Sequence, residues 1–380
     1  MSFMIKRITA IILSLVIMLS VPVFAYADGI NVTVNNAATH KAENLTGNSL
    51  AFNAIISGAT SVKFIIESAA LSSFYNDPDI RYYSFTFNKL NVRADKNNFY
   101  DFNLNRAEFE LTERSFTVKY YYNDSSSKLL STLNLPIRYT LTGANFTTHT
   151  VAKFSDKTVN CIESSAEKFS FETDMTGVFT PVKFEFSDVK NQKAWYYRYV
   201  NESGAYGLVS GTGDGLFSPD NKVTRAEIAT MIVNATKHII SYREDASIKF
   251  NDVADTAWYK PYVIKCATMG IMNGIGEGNF APNKYATREE IATVAANLTK
   301  LIGSFDSKPI PTVNKDTAKK DLAAMYTDAK EVSDWATEFV IICNKLGIMV
   351  GSDNMFSAKR EVNRAESTKI FNDLYFKTNV

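Results

Sequence analysis

Little in this sequence points to reactive chemistry. The chain has only three cysteines and three histidines in 380 residues. Cys161, Cys266 and Cys343 are too few for a disulfide framework. His40, His149 and His238 stand at no metal-ligand spacing, so no metal or other cofactor is expected. Neither G-x-S-x-G nor H-E-x-x-H occurs. Neither sign of charge is in excess: 41 Lys plus Arg oppose 40 Asp plus Glu. That balance argues against the basic footprint of sequence-independent nucleic-acid binding. There is one long apolar run, Ile8–Phe24, interrupted by Pro22. It follows Lys6 and Arg7 and precedes Ala25-Tyr26-Ala27, which are the three parts of a secretory signal peptide. At 17 residues it lies at the short limit for a membrane span. Residues 1–27 are therefore expected to be cleaved, leaving a mature chain from Asp28 of 353 residues. Loss of Lys6 and Arg7 takes the formal charge from +1 to −1. No other stretch could span a bilayer, so an exported protein is expected, soluble or held by something other than a helix.

What is abundant is aromatic residues, with 26 Phe and 19 Tyr, and an internal repeat. Phe186-Ser187-Asp188-Val189, Trp195, Gly207, Phe217-Ser218-Pro219 and Thr224-Arg225-Ala226-Glu227 form the first copy. Phe250-Asn251-Asp252-Val253, Trp258, Gly270, Phe280-Ala281-Pro282 and Thr287-Arg288-Glu289-Glu290 form the second. Tyr326-Thr327-Asp328-Ala329, Trp335, Gly347, Phe356-Ser357-Ala358 and Asn363-Arg364-Ala365-Glu366 form the third. The Trp-to-Gly distance is 12 residues in every copy, and the Gly-to-Arg distance is 18, 18 and 17. All the tryptophans fall on one repeat position.

Each copy reads as two helices. The first runs from the Trp to a Gly that ends it in the left-handed conformation, with Val200, Val263 and Val340 facing inward. Tyr206, Met269 and Leu346 close its apolar positions. The second begins at a capping box, Thr224 with Glu227 and Thr287 with Glu290; Asn363 with Glu366 is the near equivalent. Ile228, Met231, Ile232 and Ala235 match Ile291, Val294, Ala295 and Leu298, and then Ser367, Ile370, Phe371 and Leu374, at helical spacing. Cys266 and Cys343 share the position of Ser203 and read as buried small residues, and Cys161 reads as a buried thiol. Ser203-Gly204 weakens the first helix of copy one. Between the helices lie Gly211, Gly213 and Gly215, then Gly274, Gly276 and Gly278; copy three has Ser352-Asp353-Asn354 there instead. A calcium loop at Gly213-Asp214-Gly215 lacks the required oxygen spacing. The segment from Gly303 to Lys320, with Pro309 and Pro311, reads as an exposed loop.

Three copies create three equivalent grooves, each with an Arg in the first turn of a helix. Free end amides there favour an anion, and the Arg adds a carboxylate or phosphate fork. The Trp adds a stacking face for a sugar. The same Arg could instead pair with the Asp of a neighbouring repeat and simply hold the assembly together, and the Trp could be core.

These motifs, over residues 184–380, resemble the S-layer homology family. The resemblance implies an all-α pseudo-threefold trimer of lobes with a central helical bundle. It implies non-covalent binding to secondary cell-wall polysaccharide of Gram-positive-type envelopes, commonly through a pyruvylated amino sugar. It implies grooves lined by Arg225, Arg288 and Arg364, by Asp188, Asp252 and Asp328, by Trp195, Trp258 and Trp335, and by Gly213 and Gly276 of the Gly-rich loop. The third copy departs most, with Ala358 for Pro and Asn363 for Thr.

Residues 28–183 read as all-β, one or two sandwich-like domains. Ala107, Phe109 and Leu111 alternate with Glu108 and Glu110, and Phe116, Val118, Tyr120 and Tyr122 continue the pattern. Phe169 and Phe171 alternate likewise, as do Val182, Phe184 and Phe186. Asn123-Asp124-Ser125-Ser126-Ser127 reads as a hairpin loop. Glu108 and Glu110 fall on the solvent face, and Asp77-Pro78-Asp79 is a turn, so neither pair reads as a glycosidase dyad. The organisation expected is therefore multidomain: signal peptide 1–27, β-region 28–183, repeats 184–245 and 246–302, a linker 303–320, and a third repeat 321–380. The function expected is that of a non-enzymatic cell-wall anchor at the cell surface, an S-layer or S-layer-associated protein, with other surface proteins open as partners. The rivals are a wall-anchored polysaccharide hydrolase and an adhesin, each with its site in 28–183.

Overall fold

The computed structural model describes residues 30–34, 37–40, 44–46, 49–54, 60–67, 81–95, 104–122, 130, 132–155 and 157–378. The signal-peptide segment, Asp77-Pro78-Asp79 and the 123–127 loop lie outside them. The chain divides into two compact units after Phe184.

The first unit is built of strands. They are β1 (Ile30–Val34), β2 (Ala37–His40), β3 (Asn44–Thr46), β4 (Ser49–Ala54), β5 (Ser61–Glu67), β6 (Tyr82–Phe87), β7 (Leu90–Asp95) and β8 (Leu104–Thr112). There follow β9 (Phe116–Tyr122), β10 (Thr132–Thr142), β11 (Thr150–Phe154), β12 (Lys157–Val159), β13 (Cys161–Ser164), β14 (Lys168–Met175) and β15 (Gly177–Lys183). One sheet has the order β12-β11-β15-β9-β8-β5-β1-β2, the other β13-β14-β10-β7-β6-β4-β3. Pairing is antiparallel except between β4 and β6.

The alternation read in the sequence gives the sheets their inner faces. Phe64 lies opposite Phe109 across β5 and β8, and Tyr139 opposite Phe171 across β10 and β14. Rings from the two sheets then meet: Phe85 stacks on Phe109 at 4.1 Å between centroids, and Phe171 lies 5.4 Å from Phe179. These side chains are fully buried. Each contributes about 1.5–3 kcal/mol of burial, which makes this aromatic layer the main stabiliser of the unit. The buried hydroxyls of Tyr120 and Tyr139 satisfy each other at 3.0 Å.

Three expectations need correction here. β15 stops at Lys183, and Phe186 belongs to the second unit, where it packs on Phe217. Glu108 is opposite the core face of β8, as its alternation requires, but is only 8% exposed, because Arg106 lies over it with an ion pair of 2.9 Å. The strands on either side of the 123–127 loop do not pair: Leu130 still donates to the Tyr120 carbonyl, but β10 then joins the other sheet.

The second unit holds α1 (Tyr197–Ala205), α2 (Arg225–Thr236), α3 (Lys260–Thr268), α4 (Arg288–Ile302), α5 (Ala318–Met325), α6 (Thr337–Leu346) and α7 (Arg364–Thr378). Both threonine capping boxes form, and Asn363 and Glu366 exchange the equivalent pair of bonds. Gly207, Gly270 and Gly347 are left-handed, as a helix stop requires. The inward positions Val200, Val263 and Val340 are fully buried, while Tyr206 and Met269 are only half-buried. Between α4 and α5 the chain forms a two-strand hairpin, Ser304–Phe305 with Lys308–Pro309, and Phe305 is buried.

The first helix of each repeat packs on the second helix of the repeat before it: α3 on α2, α6 on α4 and, closing the cycle, α1 on α7. The small residue predicted at one position lies at each crossing. The Cys266 thiol points to the Ala229 carbonyl of α2, that of Cys343 to Ala292 of α4, and Ser203 accepts from Asn372 of α7.

Candidate functional site

Three backbone hydrogen bonds link the residues just before the helix caps. Val223 N–H donates to Val362 O (3.1 Å), Val362 N–H to Ala286 O (3.0 Å) and Ala286 N–H to Val223 O (3.0 Å). The chain thereby closes a ring of three peptide groups from three repeats. The next amides are also taken. Arg225, Arg288 and Arg364 donate their N–H groups to Lys284, Arg360 and Asn221 carbonyls, and the following residues donate to Pro282, Ala358 and Pro219. The expectation of free end amides for an anion is therefore overturned. The neighbouring repeat satisfies those donors, and the cap side chain takes the next one.

The arginine side chains follow their backbones into the next repeat. Arg225 Nε donates to Phe280 O (2.9 Å) and Nη2 to Asn273 O (2.7 Å). Arg364 Nε donates to Phe217 O (2.9 Å), Nη2 to Ser210 O (2.7 Å) and Nη1 to Glu227 (2.6 Å). Arg288 Nε donates to Phe356 O (2.8 Å). Each guanidinium lies over the ring of that same phenylalanine, at 4.6–5.2 Å. Arg225 and Arg364 are only 5% exposed. Burial, opposed by the nearby carboxylates, pulls the pKa of both below the usual arginine range. The inter-repeat clamp is thus real, but the anion facing Arg364 and Arg225 is the capping-box glutamate of the next repeat, not an aspartate.

The aspartates work inside their own repeats. Asp188 accepts from the N–H groups of Phe217 and Ser218, Asp252 from Phe280 and Ala281, and Asp328 from Phe356 and Ser357, all at 2.7–2.8 Å. Ser218, Ala281 and Ser357 have φ of +58°, a conformation that this pair of bonds offsets. The aspartates so fix the very carbonyls of Phe217, Phe280 and Phe356 that receive the arginines.

The glycine loops are tight hairpins. Asp214-Gly215, Glu277-Gly278 and Asp353-Asn354 each have two residues with positive φ. Copy three thus keeps the turn that its sequence seemed to lose, since Asp and Asn tolerate the left-handed region. Gly213 and Gly276 are extra residues beside this turn, with φ of +121° and +107° and open space where a Cβ would be.

The tryptophans are not core. Trp195, Trp258 and Trp335 are 54%, 61% and 54% exposed. One of them helps form a cleft of about 390 Å³ lined by residues of all three repeats. Arg225 comes from the first, Asn273, Gly274, Ile275, Glu290 and Asn297 from the second, and Trp335 from the third. The cleft combines a cation, amides and an indole face, a set suited to an acidic sugar. What sequence reasoning missed is Glu227 and Glu290 as partners of Arg364 and Arg225; the T-x-x-E spacing explained them fully as caps. Among the described residues no cluster of His, Cys, Asp or Glu could hold a metal ion, and no helix is long and apolar enough to cross a membrane.

Comparison with known proteins matches the same segments. Residues 185–229, 249–292 and 326–366 match the S-layer homology domain. Exoglucanase XynX of Acetivibrio thermocellus is 30% identical over 196 residues, covering 51% of this chain and 16% of that protein. S-layer protein sap of Bacillus anthracis is 30% identical over 198 residues, 51% of this chain and 22% of that protein. The cellulosome-anchoring protein of Acetivibrio thermocellus is 28% identical over 182 residues, 46% of this chain and 37% of that protein. This chain spans well under half the length of each of these relatives. Its C-terminal unit thus carries three tandem matches to the S-layer homology domain.

Proposed function

We propose that this protein is a non-enzymatic, exported cell-surface protein that its C-terminal unit anchors to the cell wall without a covalent bond. The ligand is secondary cell-wall polysaccharide bearing a pyruvylated amino sugar. It binds in grooves between three lobes, arranged as a pseudo-threefold trimer about a central helical bundle. The observation that carries this reading is the cleft that joins Arg225, Glu290 and the exposed Trp335 from three repeats. An indole face and a positive charge there match the ring and the carboxylate of an acidic sugar. Arg225, Arg288 and Arg364 supply the cations, and Trp195, Trp258 and Trp335 the stacking faces. Asp188, Asp252, Asp328, Gly213 and Gly276 act through the loops that shape the grooves. S-layer and cellulosome-anchoring proteins among the relatives support a surface role, in which the β-unit is displayed as an S-layer or S-layer-associated component.

The test is sedimentation of the protein with purified Gram-positive cell walls, before and after chemical removal of the secondary polymer. Binding is expected to disappear with the polymer. Trp335→Ala, at an exposed position, is expected to weaken binding and leave the melting temperature unchanged. Equal binding to stripped walls would sink the proposal.

A further inference from the structure

The ring treats its three arginines unequally. In each repeat one oxygen of the capping-box glutamate, Oε2, accepts from the cap residue's own N–H. The other, Oε1, is the oxygen open to the arginine of the previous repeat. A third residue competes for it, six positions before the glutamate: Asn221, Lys284 or Arg360. Asn221 carries no charge, and Glu227 Oε1 goes to Arg364 at 2.6 Å. Lys284 takes Glu290 Oε1 at 3.1 Å and leaves Arg225 at 3.6 Å. Arg360 takes Glu366 with both terminal nitrogens, at 2.8 and 3.1 Å, and no ion pair with Arg288 remains.

The second terminal nitrogen shows the same order. Arg364 and Arg225 give theirs to the carbonyls of Ser210 and Asn273. The counterpart of those residues is Val350, at the base of a hairpin one residue shorter, and Arg288 makes no bond to it. Among the described residues, the Arg288 guanidinium donates a hydrogen bond through Nε alone, and Nη1 and Nη2 have no hydrogen-bond or ion-pair partner. The matching cleft positions in the third repeat are also charged where those beside Arg225 are neutral. The positions of Thr293 and Asn297, which line the cleft beside Arg225, are Lys369 and Asp373 in the third repeat. Asp373 is neutralised by Lys369 at 2.7 Å and by Lys377 at 3.7 Å.

We propose that the Arg288 site, between the second and third repeats, is the principal anion receptor of the unit, and that Arg360 makes it so by capturing Glu366. The inference rests on the anchoring function above and assigns the acidic sugar's carboxylate to one groove. The free Nη1 and Nη2 form a planar fork for that carboxylate. Arg225 and Arg364, whose terminal nitrogens are engaged in the clamps, are secondary receptors, and Arg360 is a positioning residue that does not itself touch the ligand.

Titration calorimetry of the full chain with a synthetic pyruvylated N-acetylhexosamine tests this. Arg288→Gln is expected to remove the dominant binding event. Arg360→Gln returns Glu366 to Arg288 and is expected to weaken binding about tenfold while circular dichroism shows the fold retained. Arg360→Lys, which copies the shared arrangement at Lys284, is expected to fall between. Wild-type affinity in Arg360→Gln would overturn the inference and leave the anchoring function standing. Failure of the wild-type protein to bind this sugar would overturn both.

Discussion

Arg364 of the last repeat reaches Glu227 of the first, its Nη1 lying 2.6 Å from Oε1. The two residues are 137 positions apart in the chain. Through this contact the third domain locks onto the first, and the same guanidinium holds the Phe217 and Ser210 carbonyls. Removing Arg364 leaves the buried Phe217 carbonyl and the part-buried Glu227 carboxylate without this partner. Arg364→Ala is therefore expected to cost about 3–5 kcal/mol, read by chemical denaturation. Arg288→Ala, with no ion pair to lose, is expected to cost about 1–2 kcal/mol. Equal losses in the two variants would contradict the graded clamp.

The aspartates make a separate prediction. Asp252→Ala releases two N–H groups at a left-handed Ala281 and frees the loop that receives Arg225. We expect a loss of about 2–4 kcal/mol, with Asp252→Asn intermediate because one acceptor oxygen survives. Thermal melts of the two variants distinguish this from a role in ligand binding alone, which would leave stability untouched.

Acid stability should depend on Glu366. Burial works to raise its pKa, but the bonds from Arg360 and from Asn363 N–H prevail and hold it below the ordinary glutamate value. A lowered folded-state value means a stabilising contribution that is fully present above the unfolded pKa. It is lost as pH falls through the folded value. Stability curves of wild type and Glu366→Gln between pH 7 and about pH 3 should therefore converge on acidification. Parallel curves would exclude the contribution.

Cys343 should be inert in the native protein. Burial pushes its thiol up to about 12, and its sulfur lies 3.2 Å from the Ala292 carbonyl. Burial raises Cys266 in the same direction. An aromatic disulfide reagent at neutral pH is expected to label neither until denaturant is added, since the thiolate is the reactive form. Labelling of the folded protein would show that the helix crossings open.

Much of this was legible in the sequence, and the particular failures share a cause. Helix positions, caps and the stripe Ile228, Met231, Ile232, Ala235 follow from local spacing, and each is where the pattern puts it. The inner faces of β8 and β9 follow from alternation for the same reason. The arginines were harder. Their partners lie 48–154 residues away, in repeats whose order around the ring no local pattern encodes. The amides at the helix starts looked free because an isolated helix leaves them so, and only the closure of Val223, Ala286 and Val362 shows otherwise. The Arg–Glu pairing was hidden because each glutamate already had a sufficient local explanation as a cap.

That closure has a mechanical meaning for a wall anchor. In the anchoring role proposed above, tension on the N-terminal unit enters the chain at residue 185, ahead of the first repeat. In a linear array the first repeat would bear it alone and peel away. Here the first repeat is bonded to both of the others, so a pull on it loads two joints in parallel. None can give way without breaking backbone hydrogen bonds of the ring. A wedge of three is consequently the smallest form in which this arrangement can carry load, because removing one repeat would leave two open ends.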